Sequence, residues 1–141
     1  MEDTETDGRG HEIRVLGAMT DTSRIMLVDD NLGFLMVLRE YLAEVPEIEI
    51  VGTALTAEDA LQTLDDLHPS LVIMDFSMPG MTGPDLTRAI KKRWPSITTI
   101  ILTLFDSPHH REAANAAGAD AFVAKNRMDT DLLPVLERLV T

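Results

Sequence analysis

Five side chains able to do chemistry stand at the ends of apolar runs. Asp29 and Asp30 close "RIMLVDD", Asp75 closes "LVIMD", Thr103 closes "ITTIILT" and Lys125 closes "DAFVAK". If these runs are strands of one parallel sheet, three carboxylates, a hydroxyl and an ammonium gather at one edge. Three neighbouring carboxylates repel one another, and a cation relieves that repulsion. Magnesium suits the set, since it takes one or two carboxylates, keeps several waters and shares phosphate oxygens. An aspartate can also accept a phosphoryl group as a nucleophile. That chemistry needs charge neutralisation and positioning, which a divalent ion and a lysine supply. Thr103 has a hydroxyl to donate to a phosphoryl oxygen.

Each residue also has a plainer reading. An Asp-Asp pair before a helix is more often turn and capping chemistry. A threonine ending a strand reflects β propensity, and a lysine there usually faces solvent. The chemical reading draws its weight from coincidence at one end of one inferred sheet.

The elements that must position these groups are legible in the patterning. Apolar runs at 24–29, 47–53, 71–75, 97–103 and 120–125 read as buried strands. Between them lie helical patterns. The first carries Phe34, Leu35, Leu38, Tyr41, Leu42 and Val45 at helical spacing after Asn31 as N-cap. "TAEDALQTLDDL" (56–67) opens with Thr56 and Asp59 at capping-box spacing, and "GPDLTRAIKKRW" (83–94) has Pro84 in its first turn. "SPHHREAANAAG" (107–118) closes on Gly118. In "TDLLPVLERLV" (130–140), Pro134 falls within or beside the first turn, where few N–H bonds are lost. Five strand–helix units with short connections imply an α/β fold, a doubly wound parallel sheet with helices on both faces. Its functional crevice lies at the carboxyl ends of the strands.

The bulk properties exclude several classes. A chain of 141 residues with 45% apolar content suits one domain with a core. No apolar run approaches the span of a membrane helix, and the polar acidic start is no signal peptide, so a cytoplasmic location is expected. Without cysteine there is no disulfide framework and no thiolate metal site. A net charge of −12 argues against direct nucleic-acid binding. Residues 1–23 hold six acids and two bases, a net of −4, and lack periodicity; they read as a disordered acidic arm before a folded domain over 24–141. Met19 offers an alternative start.

"LVDD", "LVIMDFSMPGMTG", "ILTLFD" and "GADAFVAK" together resemble the response-regulator receiver domain, the CheY-like family of two-component signalling. The resemblance spans about residues 24–140, and its texture is closest to receivers that precede a helix-turn-helix output domain of the LuxR/NarL type. It implies a five-stranded flavodoxin-like sheet of order 2-1-3-4-5. It makes Asp75 the phosphoacceptor and Asp29, Asp30, Asp75 and the Ser77 carbonyl the ligands of Mg2+. Thr103 matches the switch hydroxyl, Lys125 the lysine that pairs with the phosphoryl group, and Phe122 the aromatic switch. The implied partners are a histidine kinase or phosphotransfer protein, and a second copy or a downstream protein. The latter would bind the face formed by helix 107–117, strand 120–124 and helix 130–140. The chain ends just after the last helix, as a single-domain regulator or as a receiver cut from a longer protein.

Other function classes fit less well. A magnesium phosphohydrolase would often carry a second acid two residues after its nucleophile, where this chain has Ser77. No nucleotide-binding glycine motif occurs. A phosphate-independent interaction module would bind its partner unchanged when Asp75 becomes Asn. Ser77 and Phe105 are expected beside the site, His109 and His110 at an exposed helix start, Met26, Met36 and Met74 at core positions, and Trp94 as a partly buried anchor.

Overall fold

The strands are apolar on both sides because both sides are covered. In the computed structural model, which describes residues 4–6, 12–14 and 22–140, five strands form one parallel sheet: β1 (Ser23–Val28), β2 (Ile48–Ala54), β3 (Leu71–Asp75), β4 (Thr98–Thr103) and β5 (Ala121–Ala124). Their order is β2-β1-β3-β4-β5, as the resemblance implies. Alternate side chains point to opposite faces. Ile25 and Leu27 of β1 meet α1 (Leu32–Ala43) and α5 (Met128–Val140) through Leu35, Leu38, Leu42, Leu132 and Leu136. Met26 and Val28 meet α2 (Ala57–Leu67), α3 (Gly83–Arg93) and α4 (Pro108–Ala116) through Leu64, Leu86, Ile90 and Ala114.

Local chemistry sets the helix starts. Asn31 accepts a hydrogen bond from the Phe34 N–H, Thr56 from the Asp59 N–H and Ser107 from the His110 N–H, each removing an orphan donor of the first turn. Thr82 and Asp85 form a reciprocal capping box at α3. β2 carries one irregularity: Ile25 pairs with Ile50 but Met26 with Gly52, so Val51 is passed over.

Three expectations need correction. Met36 is 60% exposed, because the buried stripe of α1 runs through Leu35, Leu38 and Leu42 and leaves Met36 on the outer side. The last helix begins at Met128, after a 3-10 turn over Lys125–Arg127, so Pro134 lies inside it and removes the N–H that would reach the Thr130 carbonyl. His110 is half-buried, its ring centroid 4.6 Å from that of Phe76. Trp94 is partly buried as expected, and its indole N–H donates to Asp65 at 3.1 Å. Within the proposed arm, Thr4–Thr6 and Glu12–Arg14 pair antiparallel, and the rest of residues 1–21 lies outside the described residues.

Candidate functional site

Strand register assembles the site. Val28 sits opposite Met74, so the residues that follow, Asp29 and Asp75, leave neighbouring strands side by side. Asp75 pairs with Leu102, which sets Thr103 one residue beyond it, and Thr103 pairs with Ala124, just before Lys125. The backbone is braced there: the Asp29 N–H donates to the Ala54 carbonyl and the Phe76 N–H to the Leu102 carbonyl. Gly83 of α3 closes on the end of β3 so tightly that a Cβ would lie 2.5 Å from the Asp75 carbonyl oxygen.

All five residues singled out at the strand ends line one open cleft of about 430 Å³, with Asn31, Ser77, Leu104 and Phe105. The Lys125 ammonium donates to Asp29 Oδ2 at 2.7 Å and lies 3.2 Å from Asp75 Oδ1. Its side chain is 8% exposed, which makes this a buried three-charge cluster. Asp29 Oδ1 accepts the Asn31 N–H at 2.8 Å, so both Asp29 oxygens are engaged. Asp30 is exposed, and one oxygen from each of Asp29, Asp30 and Asp75 falls within 4.8 Å of the others. Burial raises the pKa of Asp75; the Asp29 charge adds to this, Lys125 opposes it through its charge and hydrogen bond, and Asp30 raises it further.

Three carboxylates against one ammonium leave a surplus of two negative charges at oxygen donors. That surplus fits a hard divalent cation of magnesium type. Thr103 is 2% exposed, and its hydroxyl donates to the Phe105 carbonyl and accepts the Phe105 N–H, at 3.2 and 3.1 Å.

Phe122 stands apart, on β5 facing α4. The Arg111 guanidinium lies 4.9 Å from its ring centroid and grips Asp106 through two bonds of 2.6 and 2.9 Å. A second cleft of about 460 Å³ opens here, lined by Arg111, Glu112, Asn115, Asp120 and Phe122 among others.

Sequence reasoning missed two contacts at the cluster. Phe34, read as an apolar helix position, places its ring 4.1 Å below the Lys125 ammonium. Gly83 gave no sign that its missing side chain makes room for the Asp75 backbone. Both depend on which distant elements meet, and spacing along the chain carries no signal for that.

The response regulator receiver domain family matches residues 25–137. The transcriptional regulatory protein YhcZ of Bacillus subtilis (strain 168) is 33% identical over 110 residues, covering 78% of this chain and 51% of YhcZ. The isolated REC domain of RcsB from Salmonella enterica serovar Typhimurium superposes with a TM-score of 0.77 at 27% identity, covering 82% of this chain and 86% of that one. A LuxR-family two-component response regulator from Aurantimonas sp. SI85-9A1 gives 0.81 at 28% identity, covering 85% and 86%. The chain spans about half the length of the curated relatives it matches. No helix among the described residues is long and apolar enough to cross a membrane. With the family match extending over most of the chain and the sheet order in agreement with the solved relatives, this chain belongs to the response-regulator receiver domains of two-component systems.

Proposed function

We propose that Asp75 accepts a phosphoryl group from a phosphohistidine on a histidine kinase or phosphotransfer protein. The observation that carries this reading is the Lys125 ammonium held between Asp29 and Asp75 at the floor of an open cleft. A carboxylate oxygen of Asp75 forms the new P–O bond while the donor's P–N bond breaks, and the imidazole nitrogen leaves with the electron pair. Asp29, Asp30, Asp75 and the Ser77 carbonyl would hold Mg2+, which neutralises charge on the phosphoryl oxygens when bound. Lys125 meets the incoming phosphoryl group with a fixed positive charge.

Ser77 stands two residues beyond Asp75, and no second acid is there to activate water. This supports a phosphoryl switch over a hydrolase. The REC domain of RcsB, to which the chain is similar, was solved with the phosphomimetic BeF3−.

The reading extends to the output side. A phosphoryl group on Asp75 gives the Thr103 hydroxyl a stronger acceptor than the Phe105 carbonyl. As Thr103 turns toward it, Phe122 moves inward and the face of α4, β5 and α5 changes shape for a second copy, an output domain or another protein. The effect is a population shift biased by phosphorylation.

Intact-protein mass spectrometry after incubation with acetyl phosphate tests the chemistry. With magnesium, wild type gains one phosphoryl group as acetate leaves; with EDTA, or as Asp75→Asn, it gains none. Equal incorporation in the Asn variant would place the acceptor elsewhere.

A further inference from the structure

The Lys125 ammonium is held from two directions. Asp29 and Asp75 take it on one side, and the face of Phe34 lies 4.1 Å from it on another. The Phe34 backbone is itself anchored at the start of α1. Its N–H donates to the Asn31 side chain at 3.0 Å, and the Asn31 N–H donates to Asp29 Oδ1 at 2.8 Å. Asp29 Oδ2 then accepts from Lys125 at 2.7 Å. The four residues therefore form a closed circuit from α1, through the end of β1, to the end of β5 and back.

A lysine is a compact charge on a flexible four-carbon stem, and two carboxylates alone leave it free to slide between them. An aromatic face attracts the ammonium through its quadrupole, and does so more strongly where water is excluded. Here the lysine side chain is 8% exposed, and Phe34 is half-buried against the cluster of Leu35, Leu38 and Leu132. The ring has no proton to exchange and no charge to compete with a phosphoryl group, so it can hold the ammonium while leaving its N–H groups free for oxygen acceptors.

We infer that Phe34 is the positioning residue for Lys125, fixing the ammonium beside Asp75 through the face of its ring. The consequence for phosphoryl acceptance rests on Asp75 being the acceptor; the positioning itself does not.

Replacing Phe34 by phenylalanine with one, two and three ring fluorines weakens the quadrupole stepwise while nearly preserving size and burial. The rate of acetyl phosphate incorporation at saturating magnesium should fall stepwise, to roughly threefold to tenfold below wild type at three fluorines. Thermal stability should change little across the series. In parallel, the 1H–15N resonance of the Lys125 ammonium should move progressively with fluorination, without phosphorylation being needed. A flat rate series with unmoved ammonium resonances makes Phe34 ordinary core packing and overturns the inference. If the wild type takes up no phosphoryl group, the proposed function fails, and the ammonium resonances alone decide the positioning. Phe34→Leu, which keeps an apolar side chain without a π face, should match the trifluorinated protein in both readouts if it folds; the fluorinated series stands without it.

Discussion

Two of the cations that sit on aromatic rings in this receiver, Lys125 and Arg111, are held to very different degrees. Lys125 is 8% exposed, shared by two carboxylates that are themselves buried, with Phe34 at 4.1 Å. Arg111 is 54% exposed, paired with Asp106 beside solvent, with Phe122 at 4.9 Å. Moving Lys125 would uncover two buried negative charges, which is expensive. Moving Arg111 exchanges one exposed ion pair for water, which costs little, because screened surface pairs contribute little to stability. The same chemical pairing thus gives a fixed point at the acid cluster and a yielding one at the α4–β5 cleft.

The strongest way to break this contrast is Lys125→Met. Asp29 and Asp75 would then face each other without a cation, and the protein should lose about 3 kcal/mol in EDTA by urea denaturation. Millimolar magnesium should restore part of it. An unchanged midpoint in EDTA would mean that the cluster is not held by this lysine. Gly83→Ala attacks the same region from the backbone. Its Cβ would meet the Asp75 carbonyl at 2.5 Å, so the end of β3 must shift, at a cost of about 1–3 kcal/mol. Phosphoryl incorporation should slow as well, whereas normal kinetics would show that the strand end can give way freely.

A smaller effect with the opposite sign is expected for Asp75→Asn in EDTA. Burial and the Asp29 charge raise the Asp75 pKa above its ordinary 3.8, so ionising this carboxyl costs the folded state more than the unfolded chain. The Asn variant should therefore be more stable at pH 7. Its advantage should shrink as pH falls through the raised native pKa, where wild type takes up the proton, and should vanish below 3.8. Melting curves across that range check the sign; a variant less stable than wild type at pH 7 would contradict it. The smallest effect belongs to Arg111→Ala. Thermal stability should stay close to wild type, while the Phe122 ring signals in NMR should show broader rotamer averaging. A large stability loss would show that the α4 side is as firmly held as the Lys125 side.

The contrast also separates what was legible in the sequence from what was not. Asp29, Asp75, Thr103 and Lys125 could be placed together because each ends an apolar run, and in a parallel sheet all such ends share one edge. The fold followed from the same alternation. Met36 was misplaced because the apolar string "LGFLMVL" is compatible with more than one buried stripe, and only the meeting with α5 selects among them. Pro134 was misplaced because the 3-10 turn after Lys125 leaves no mark in the hydrophobic pattern. The ring beneath Lys125 was invisible for a related reason: Phe34 and Lys125 are far apart in the chain, and each satisfies a simpler local rule.

The passed-over residue in β2 has a bearing on how this sheet behaves in a crowded solution. β2 is an outer strand, and an evenly spaced row of N–H and C=O groups along it would invite another chain to extend the sheet. Val51 interrupts that spacing midway, and Glu49 places an acid just before the break. A strand from a second molecule could align with one half of this margin, but it would fall out of step with the other. The irregularity thus makes the flank a poor seed for intermolecular sheet growth, and deleting Val51 should make it a better one.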